Sequence, residues 1–240
     1  MSEANVNQLF QHSTMGALVG AQFAGSITFA DLLKQGDIGI GTLHDFDGEL
    51  VVIDGEAYQI KSNGQAYLKE PEETTPFASV SHFEPSLSFE VSGGMTRLEI
   101  EAKIRAYAEI SPNIFFAVKL TGTFKSVDTR VVPKQMRPYQ PLVEAVKKQP
   151  VFHFENVKGT VLGFWTPPYF QGVGVAGYHL HFITAERDAG GHLFAYDMLE
   201  GTVELAPQTA FKLQVPQTTE YYEADLNNPN MVSDIEEAEN

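Results

Sequence analysis

The sequence predicts an α+β protein built as two lobes, the second of which is a small β-sandwich or barrel. Two observations support this fold class. Helical apolar periodicity occurs mostly in the first 150 residues, whereas six short apolar segments separated by glycine, proline or asparagine follow that point. A chain of 240 residues is long enough for one large domain or two closely packed lobes, and it can bury a core without a disulfide or a metal.

The first part of the chain predicts a short helix followed by β-strands. Thr28 or Ser26 can cap the helix, because both side chains accept a hydrogen bond from a first-turn backbone amide. Residues 39–68 are typical of strands, and the Asp54-Gly55 pair separates two apolar runs within them. This pair indicates a two-residue hairpin of type I′, in which both turn residues need a positive φ.

The clearest helix is predicted at residues 94–109, where apolar residues recur at helical spacing. Its apolar face consists of Ile100, Ile104, Tyr107 and Ala108. A strand is predicted at residues 114–127, and a second helix from Pro141 to Lys148, since proline suits a first helical turn. The six strands expected after this helix are VFHF, VLGFW, YHLHFIT, HLFAYDML, TVELA and FKLQV.

The composition excludes several kinds of site and partner. The chain has no cysteine, so a transition metal would need histidine and carboxylate ligands, and disulfides and thiol nucleophiles are excluded. The 16 basic residues against 31 acidic ones give a net charge of −15, which repels nucleic-acid phosphates and anionic lipids. We expect neither a nucleic-acid nor a membrane partner. The first residues lack the features of a signal peptide, which favours a cytoplasmic protein.

Three of the seven histidines lie close together in GYHLHFITAERDAGGHL, residues 177–193. His179 and His181 would point to the same face of a strand and could hold one metal ion, with His192 on the next strand as a third ligand. For His192 to face the pair, the connection must be broad, running from about residue 185 to residue 191. The alternative is three unrelated histidines, and spacing alone leaves both interpretations open.

Acidic residues alternate in the segment GTLHDFDGELVVIDG, residues 41–55. Asp45, Asp47 and Glu49 would share one strand face and could deliver a carboxylate for proton transfer. The alternative is an exposed loop before a strand. The final residues, DIEEAEN, are expected to form a disordered acidic tail.

A cluster of basic residues is unusual in so acidic a chain. Arg130, Lys134 and Arg137 lie within TRVVPKQMRPY, where an arginine could bind the carboxylate of an anionic substrate. The alternative is a set of surface ion pairs. The chain lacks a GxSxG elbow, a P-loop and a GxGxxG fingerprint, so nothing indicates a serine nucleophile or a nucleotide cofactor.

Several blocks of the sequence, in this order, resemble the α-acetolactate decarboxylase family. They are STMGALVGAQFAG, DLLKQGDIGIGTLHDFDGELVVIDGEAYQ, TPFASVSHF, VPKQMRPYQPLVEAVKKQ and GTVLGFWTPPYFQGVGVAGYHLHFITAERDAGGHL. The resemblance covers about residues 7–225, and GYHLHF followed by AGGH is its most specific part. It implies a mixed-sheet amino-terminal lobe with flanking helices (residues 1–125). It also implies an antiparallel β-barrel lobe that carries the metal site (residues 126–240), and a homodimer.

The resemblance also implies roles for individual residues. These are His179, His181 and His192 as zinc ligands, Glu49 and Arg130 as catalytic residues, Thr42 and Arg130 as substrate-binding residues, and Glu239 or Glu237 as a carboxylate that folds back to the metal. The sequence departs from the family pattern at Phe46, where leucine is expected, and at Met136-Arg137, where an acid and a lysine are common. Neither departure changes a proposed ligand.

The implied activity is zinc-dependent decarboxylation of the small molecule 2-acetolactate to acetoin and CO₂, in the acetoin and butanediol pathway. Zn²⁺ would stabilise an enediolate, with Glu49 as the better candidate for proton transfer and Arg130 orienting the carboxylate or helping the protonation. One alternative is another three-histidine metal enzyme, either a hydratase or a cupin-like oxygenase in which Glu186 would add a ligand. The other is a non-enzymatic β-barrel binding module.

Overall fold

Strands form most of the regular secondary structure, and the helices are short. The computed structural model describes residues 7–107 and 111–239. Within these ranges the strands are β1 (Gln8–His12), β2 (Ile27–Thr28), β3 (Ile38–Thr42), β4 (Glu49–Ile53), β5 (Glu56–Ile60), β6 (Ala66–Leu68), β7 (Thr74–Thr75), β8 (Ala78–Ser81), β9 (Leu87–Val91), β10 (Met95–Thr96), β11 (Phe115–Arg130), β12 (Val151–Thr166), β13 (Gly177–Thr184), β14 (Gly190–Gln208) and β15 (Ala210–Gln214). The α-helices of the same ranges are α1 (Met15–Val19), α2 (Phe29–Leu32), α3 (Arg97–Arg105), α4 (Leu142–Ala145), α5 (Thr219–Glu223) and α6 (Met231–Glu239).

The first large sheet is mixed. Its strand order is β15-β1-β8-β3-β4-β5-β6, and β1 pairs in parallel with β15 while its other pairings are antiparallel. The predicted hairpin lies between β4 and β5, where Asp54 and Gly55 have φ values of 54° and 77°. Positive φ at both turn residues is what a type I′ turn requires, so the sequence prediction of this turn is confirmed.

The second large sheet is antiparallel and is built around two long strands. Its strand order is β10-β14-β11-β12-β13, and β9 also pairs with β14. β13 also pairs with β14 over three residue pairs, so the sheet curls back on itself at that end. The boundary predicted between residues 125 and 126 falls inside β11, which is continuous from Phe115 to Arg130.

The two sheets pack face to face through one apolar cluster. It includes Leu9, Ile40 and Val51 of the first sheet and Ala117, Leu162 and Ile183 of the second. Burying such side chains contributes about 1.5–3 kcal/mol each, so this cluster holds the two sheets together. A neighbouring cluster joins α1, α4 and α6 through Met15, Leu18, Leu142, Ala145, Ile235 and Ala238.

The helices follow the local signals of the sequence, with shorter bounds than predicted. Thr28 caps α2 by accepting a hydrogen bond from the Asp31 amide. The helix predicted at residues 94–109 is observed as α3, and it begins at a capping box in which Thr96 and Glu99 bond each other's backbone amides. Ile100 and Ile104 are fully buried as expected, whereas the predicted Ala108 lies outside the described residues.

The expectation of a disordered acidic tail is wrong. Residues Met231–Glu239 form helix α6, and Ile235 is fully buried against the neighbouring short helices. The negative charges of this segment suggested a solvated end, but its two apolar positions, Ile235 and Ala238, share one helix face. Their burial outweighs the tendency of the segment to remain in water.

Candidate active site

The β13–β14 hairpin brings the three histidines together. His179 and His181 occupy alternate positions of β13, and His181 stands directly opposite His192 on β14. The connection is shorter than expected, because Gly190 already pairs with Ile183 and belongs to the strand rather than to the loop. The histidine ring centroids lie 5.4 Å, 5.1 Å and 5.4 Å apart, and one nitrogen from each ring lies within 4.8 Å of the others.

The hydrogen bonding of His181 fixes its tautomer. Its Nδ1 lies 2.8 Å from the carbonyl oxygen of Leu50, and because a carbonyl can only accept, Nδ1 carries the hydrogen. The Nε2 atom therefore presents a lone pair, and it is buried without a hydrogen-bond partner among the residues that the structure describes. A buried lone pair facing two other imidazoles suits a metal ion, and the backbone contact to Nδ1 orients the ring for this role.

Burial keeps all three imidazoles neutral. It lowers the pKa of His179 to about 4 and that of His181 to about 3, and the pKa of His192 is also well below its usual range. Desolvation is the main cause in each case, and the Arg130 guanidinium further lowers the pKa of His179 and His192. At neutral pH each ring therefore has one nitrogen without a proton, which is the state that metal coordination requires.

Glu49 reaches the histidines from the first residue of β4. Its Oε1 accepts a 3.0 Å hydrogen bond from the Val132 amide, and its Oε2 lies 3.6 Å from His181 Nε2. The pKa of Glu49 is raised to about 8, mainly by burial and also by the nearby Glu239, while the Val132 amide and Arg130 act in the opposite direction. A carboxyl group in this setting can hold a proton at neutral pH.

Thr42 faces Glu49 across the β3–β4 pair and lines the same cleft. Its hydroxyl donates to the carbonyl oxygen of Gly48 at 2.8 Å, so its hydrogen is already used. Gly48 has a φ of +96°, and a Cβ at this position would lie 2.1 Å from the Ile60 carbonyl oxygen. Glycine is therefore required at the turn that delivers Glu49.

Arg130 lies beside the histidines because β11 is the neighbour of β14. It is the last residue of β11 and pairs with His192 on one side and Val151 on the other. Its Nη2 donates to the carbonyl oxygen of Ala238 at 2.8 Å. This bond joins the second sheet to α6.

Helix α6 brings a second carboxyl group to the histidines. Glu239 Oε2 lies 3.6 Å from His179 Nε2 and 3.8 Å from His192 Nε2, and burial raises the pKa of Glu239 to about 7. Of the two glutamates that the sequence offered, the structure thus brings Glu239 to the cluster, whereas Glu237 is exposed.

Several other predicted residues lie away from the cleft. Asp45 does not share a strand face with Glu49; it lies in a 3-10 turn with a φ of 63° and pairs with Lys134 at 3.0 Å. Arg137 pairs with Glu220 on the surface at 2.7 Å. Asp47 contributes its backbone carbonyl to Gln59. Surface ion pairing was therefore the correct interpretation for Lys134 and Arg137, and Glu186, the cupin-like ligand candidate, is exposed.

The cleft in front of the histidines is small and partly open to solvent. The sequence did not indicate most of the other residues that line this cleft, namely Met15, Leu18, Phe77, Leu142, Val146 and Gln149. Five of these are apolar residues of the kind found in any core, so only tertiary packing reveals their position. Among the described helices, none is both long and apolar enough to cross a membrane.

The fold and this cluster define a two-sheet α+β protein with a buried three-histidine candidate metal centre and two adjacent carboxyl groups. A family profile described as Alpha-acetolactate decarboxylase matches residues 9–228. The chain belongs to this family.

Individual relatives agree with this assignment over nearly the whole chain. An Alpha-acetolactate decarboxylase of Bacillus subtilis (strain 168) is 42% identical over 98% of this chain and 91% of its own length. One from Methanosarcina mazei is 43% identical over 96% of this chain and 80% of its own length. The crystal structure of the Bacillus subtilis strain 168 protein superposes with a TM-score of 0.93, at 41% identity, over 97% of this chain and 99% of that one.

Proposed function

We propose that this chain decarboxylates 2-acetolactate to acetoin and CO₂. The observation that carries the proposal is the meeting of three imidazoles, two buried carboxyl groups and one guanidinium in a single cleft, in a member of the α-acetolactate decarboxylase family. The names of the relatives supply the substrate. It is a β-keto acid with a hydroxyl group on the carbon that carries the carboxylate.

We propose Zn²⁺ as the ion that His179, His181 and His192 hold. Three neutral nitrogens without a thiolate suit zinc, and such a set leaves a coordination position open for a substrate. When bound, the ion would supply a Lewis acid that stabilises negative charge developing on substrate oxygens. The lone pair on His181 Nε2 supports this assignment, since no group of the described chain uses it.

Arg130 is proposed to bind the substrate carboxylate. It is a cation of the cleft wall, and the guanidinium fork matches a carboxylate in shape and charge. Loss of CO₂ breaks the bond between the carboxyl carbon and its neighbour, and the electron pair of that bond moves into the ketone group. Holding the carboxylate at Arg130 fixes the orientation of the bond that breaks.

Glu49 is proposed to supply the proton that completes the reaction. One proton must be added to the carbon that lost CO₂, so that the anionic substrate gives neutral acetoin. Because Oε1 of Glu49 accepts from the Val132 amide, the proton of the neutral carboxyl group belongs on Oε2, the atom that faces the histidines. A pKa of about 8 keeps this proton available near neutral pH.

The resemblance and the pairing pattern support three further parts of the proposal. The return of β13 to β14 supports treating residues 126–240 as a barrel-like lobe that carries the metal site. Thr42 is proposed to contact the substrate by packing rather than by donating a hydrogen bond, since its hydroxyl hydrogen is bonded to Gly48. We also propose a homodimer, which light scattering of the purified protein would test.

Metal removal tests the proposed activity. Dialysis against a chelator should abolish acetoin formation from 2-acetolactate, and added Zn²⁺ should restore it. His192→Ala should lose both bound metal and activity, whereas His153→Ala should keep both, because His153 is an exposed residue that pairs with Asp128 outside the cleft. Equal activity with and without metal, or full metal content in His192→Ala, would contradict the proposal.

A further inference from the structure

Gln149 is a polar residue of the cleft that neither the sequence prediction nor the proposed chemistry uses. It follows the 3-10 turn Val146–Lys148, and its backbone amide donates to the carbonyl oxygen of Val146 at 3.3 Å. The next residue, Pro150, accepts a hydrogen bond from the Val131 amide at 3.2 Å. The backbone of Gln149 is therefore held beside the end of β11, next to Arg130.

The side-chain carbonyl of Gln149 is buried and has no hydrogen-bond donor within the described chain. Gln149 also forms part of the cleft wall that holds Thr42, Glu49 and Arg130. Burying a carbonyl without a partner is unfavourable, so folded proteins rarely retain one without a reason. A donor that arrives with a ligand would satisfy it.

The hydrogen-bonding inventory of the cleft indicates which ligand group this is. The substrate carboxylate and ketone only accept hydrogen bonds, and its tertiary hydroxyl is its single donor. On the protein side, Arg130 only donates, and the Thr42 hydrogen is bonded to Gly48. The Gln149 carbonyl is a neutral acceptor in the same cleft that lacks a donor.

We propose that Gln149 Oε1 accepts a hydrogen bond from the substrate hydroxyl and thereby selects a 2-hydroxy-3-keto acid over analogues without the hydroxyl. This inference rests on the proposed decarboxylase function and deepens it. Arg130 holds the carboxylate while Gln149 holds the hydroxyl, so two substituents of the same carbon are fixed. With two of them fixed, the orientation of the bond to the carboxyl group is defined.

Two stable carboxylic acids that differ in one group provide the test. 2-Hydroxy-2-methylpropanoate has the hydroxyl, and 2,2-dimethylpropanoate has a methyl group in its place. Their inhibition constants are measured with the zinc-loaded enzyme. Their dissociation constants are measured with the metal-free protein by ligand-observed nuclear magnetic resonance, which removes any contact of the hydroxyl with a metal.

The variants are Gln149→Met, which keeps the length of the side chain but offers only a weakly accepting sulfur, and Gln149→Leu, which cannot accept at all, as a second choice. A matched control is Gln208→Met, because Gln208 also has a buried carbonyl without a partner in the described parts of the chain but does not line the cleft. Loss of one neutral hydrogen bond should reduce the preference for the hydroxy acid about fivefold in Gln149→Met. The control should keep the preference of the wild type.

The outcomes separate this inference from the proposed function. If the wild type forms acetoin and Gln149→Met weakens both acids equally, or neither, then Gln149 does not contact the hydroxyl and the inference is wrong. If the wild type forms no acetoin from 2-acetolactate, the proposed function itself fails. A reduced preference confined to Gln149 variants, in both the zinc-loaded and the metal-free protein, supports the assignment.

Discussion

Replacing Glu49 by glutamine should stabilise the metal-free protein at alkaline pH while it removes activity. The Glu49 side chain is only 10% exposed, and burial raises its pKa from 4.5 to about 8. Glutamine keeps the oxygen that accepts from the Val132 amide but carries no charge. If Glu49 transfers the proton, kcat should fall roughly 100-fold or more.

The sign of the stability effect follows from where the proton is held more tightly. The folded pKa of Glu49 lies above the unfolded value, so the contribution of this group to stability is full at low pH and is lost as the pH rises from about 4.5 to about 8. One pKa unit corresponds to about 1.4 kcal/mol, so the loss between pH 5 and pH 9 is about 4 kcal/mol. Glu49→Gln lacks this loss.

The effect is measured by urea unfolding in the presence of a chelator. The fluorescence of the single tryptophan, Trp165, monitors the unfolding. The difference in unfolding free energy between Glu49→Gln and wild type should grow with pH over this range. Glu186→Gln is the control, because Glu186 is exposed and its replacement should leave the pH dependence unchanged. Parallel curves for Glu49→Gln and wild type from pH 5 to pH 9 would refute the reasoning.

Three other changes have defined outcomes. His12 is buried and its pKa is lowered to about 4, so its protonation should by itself cost the folded protein about 3 kcal/mol as the pH drops from 6.5 to 4; relative to wild type, His12→Gln should therefore gain stability over this range in urea unfolding. Ile235→Ala removes buried packing of α6 at a cost of about 2–4 kcal/mol, and limited proteolysis should then cleave α6 while acetoin formation declines. Gly48→Ala forces a Cβ to within 2.1 Å of the Ile60 carbonyl oxygen at a φ of +96°, so it should lower both the thermal midpoint and kcat; unchanged kcat would show that the turn does not position Glu49.

The parts of the site that local spacing controls could be predicted from the sequence. The HxH pattern places His179 and His181 on one strand face whatever the rest of the fold does. The Asp54-Gly55 turn was equally predictable, because its backbone conformation depends on two residues. The strand character after residue 150 was also visible in the sequence, but the six predicted strands are four: VFHF and VLGFW form one strand, β12, and HLFAYDML and TVELA form another, β14.

Features set by tertiary packing were not predictable from pattern alone. Asp45 and Asp47 alternate with Glu49 as a strand would require, but positive φ at Asp45 and Phe46 turns the chain before β4 begins. The tail DIEEAEN reads as solvated because the surface that buries Ile235 comes from α1 and α4, far away in the sequence. Only the resemblance to a family indicated that Glu239 folds back.

The three imidazoles all belong to one hairpin, β13–β14, whereas Glu49, Arg130 and Glu239 arrive from β4, β11 and α6. Closing a short hairpin costs far less chain entropy than bringing distant segments together. The three proposed metal ligands therefore share one local unit, while the acidic and cationic groups, and the Leu50 carbonyl that orients His181, come into place only through long-range contacts. Metal affinity and turnover should consequently respond to different substitutions, and a chain with a loosened α6 should still retain its ion.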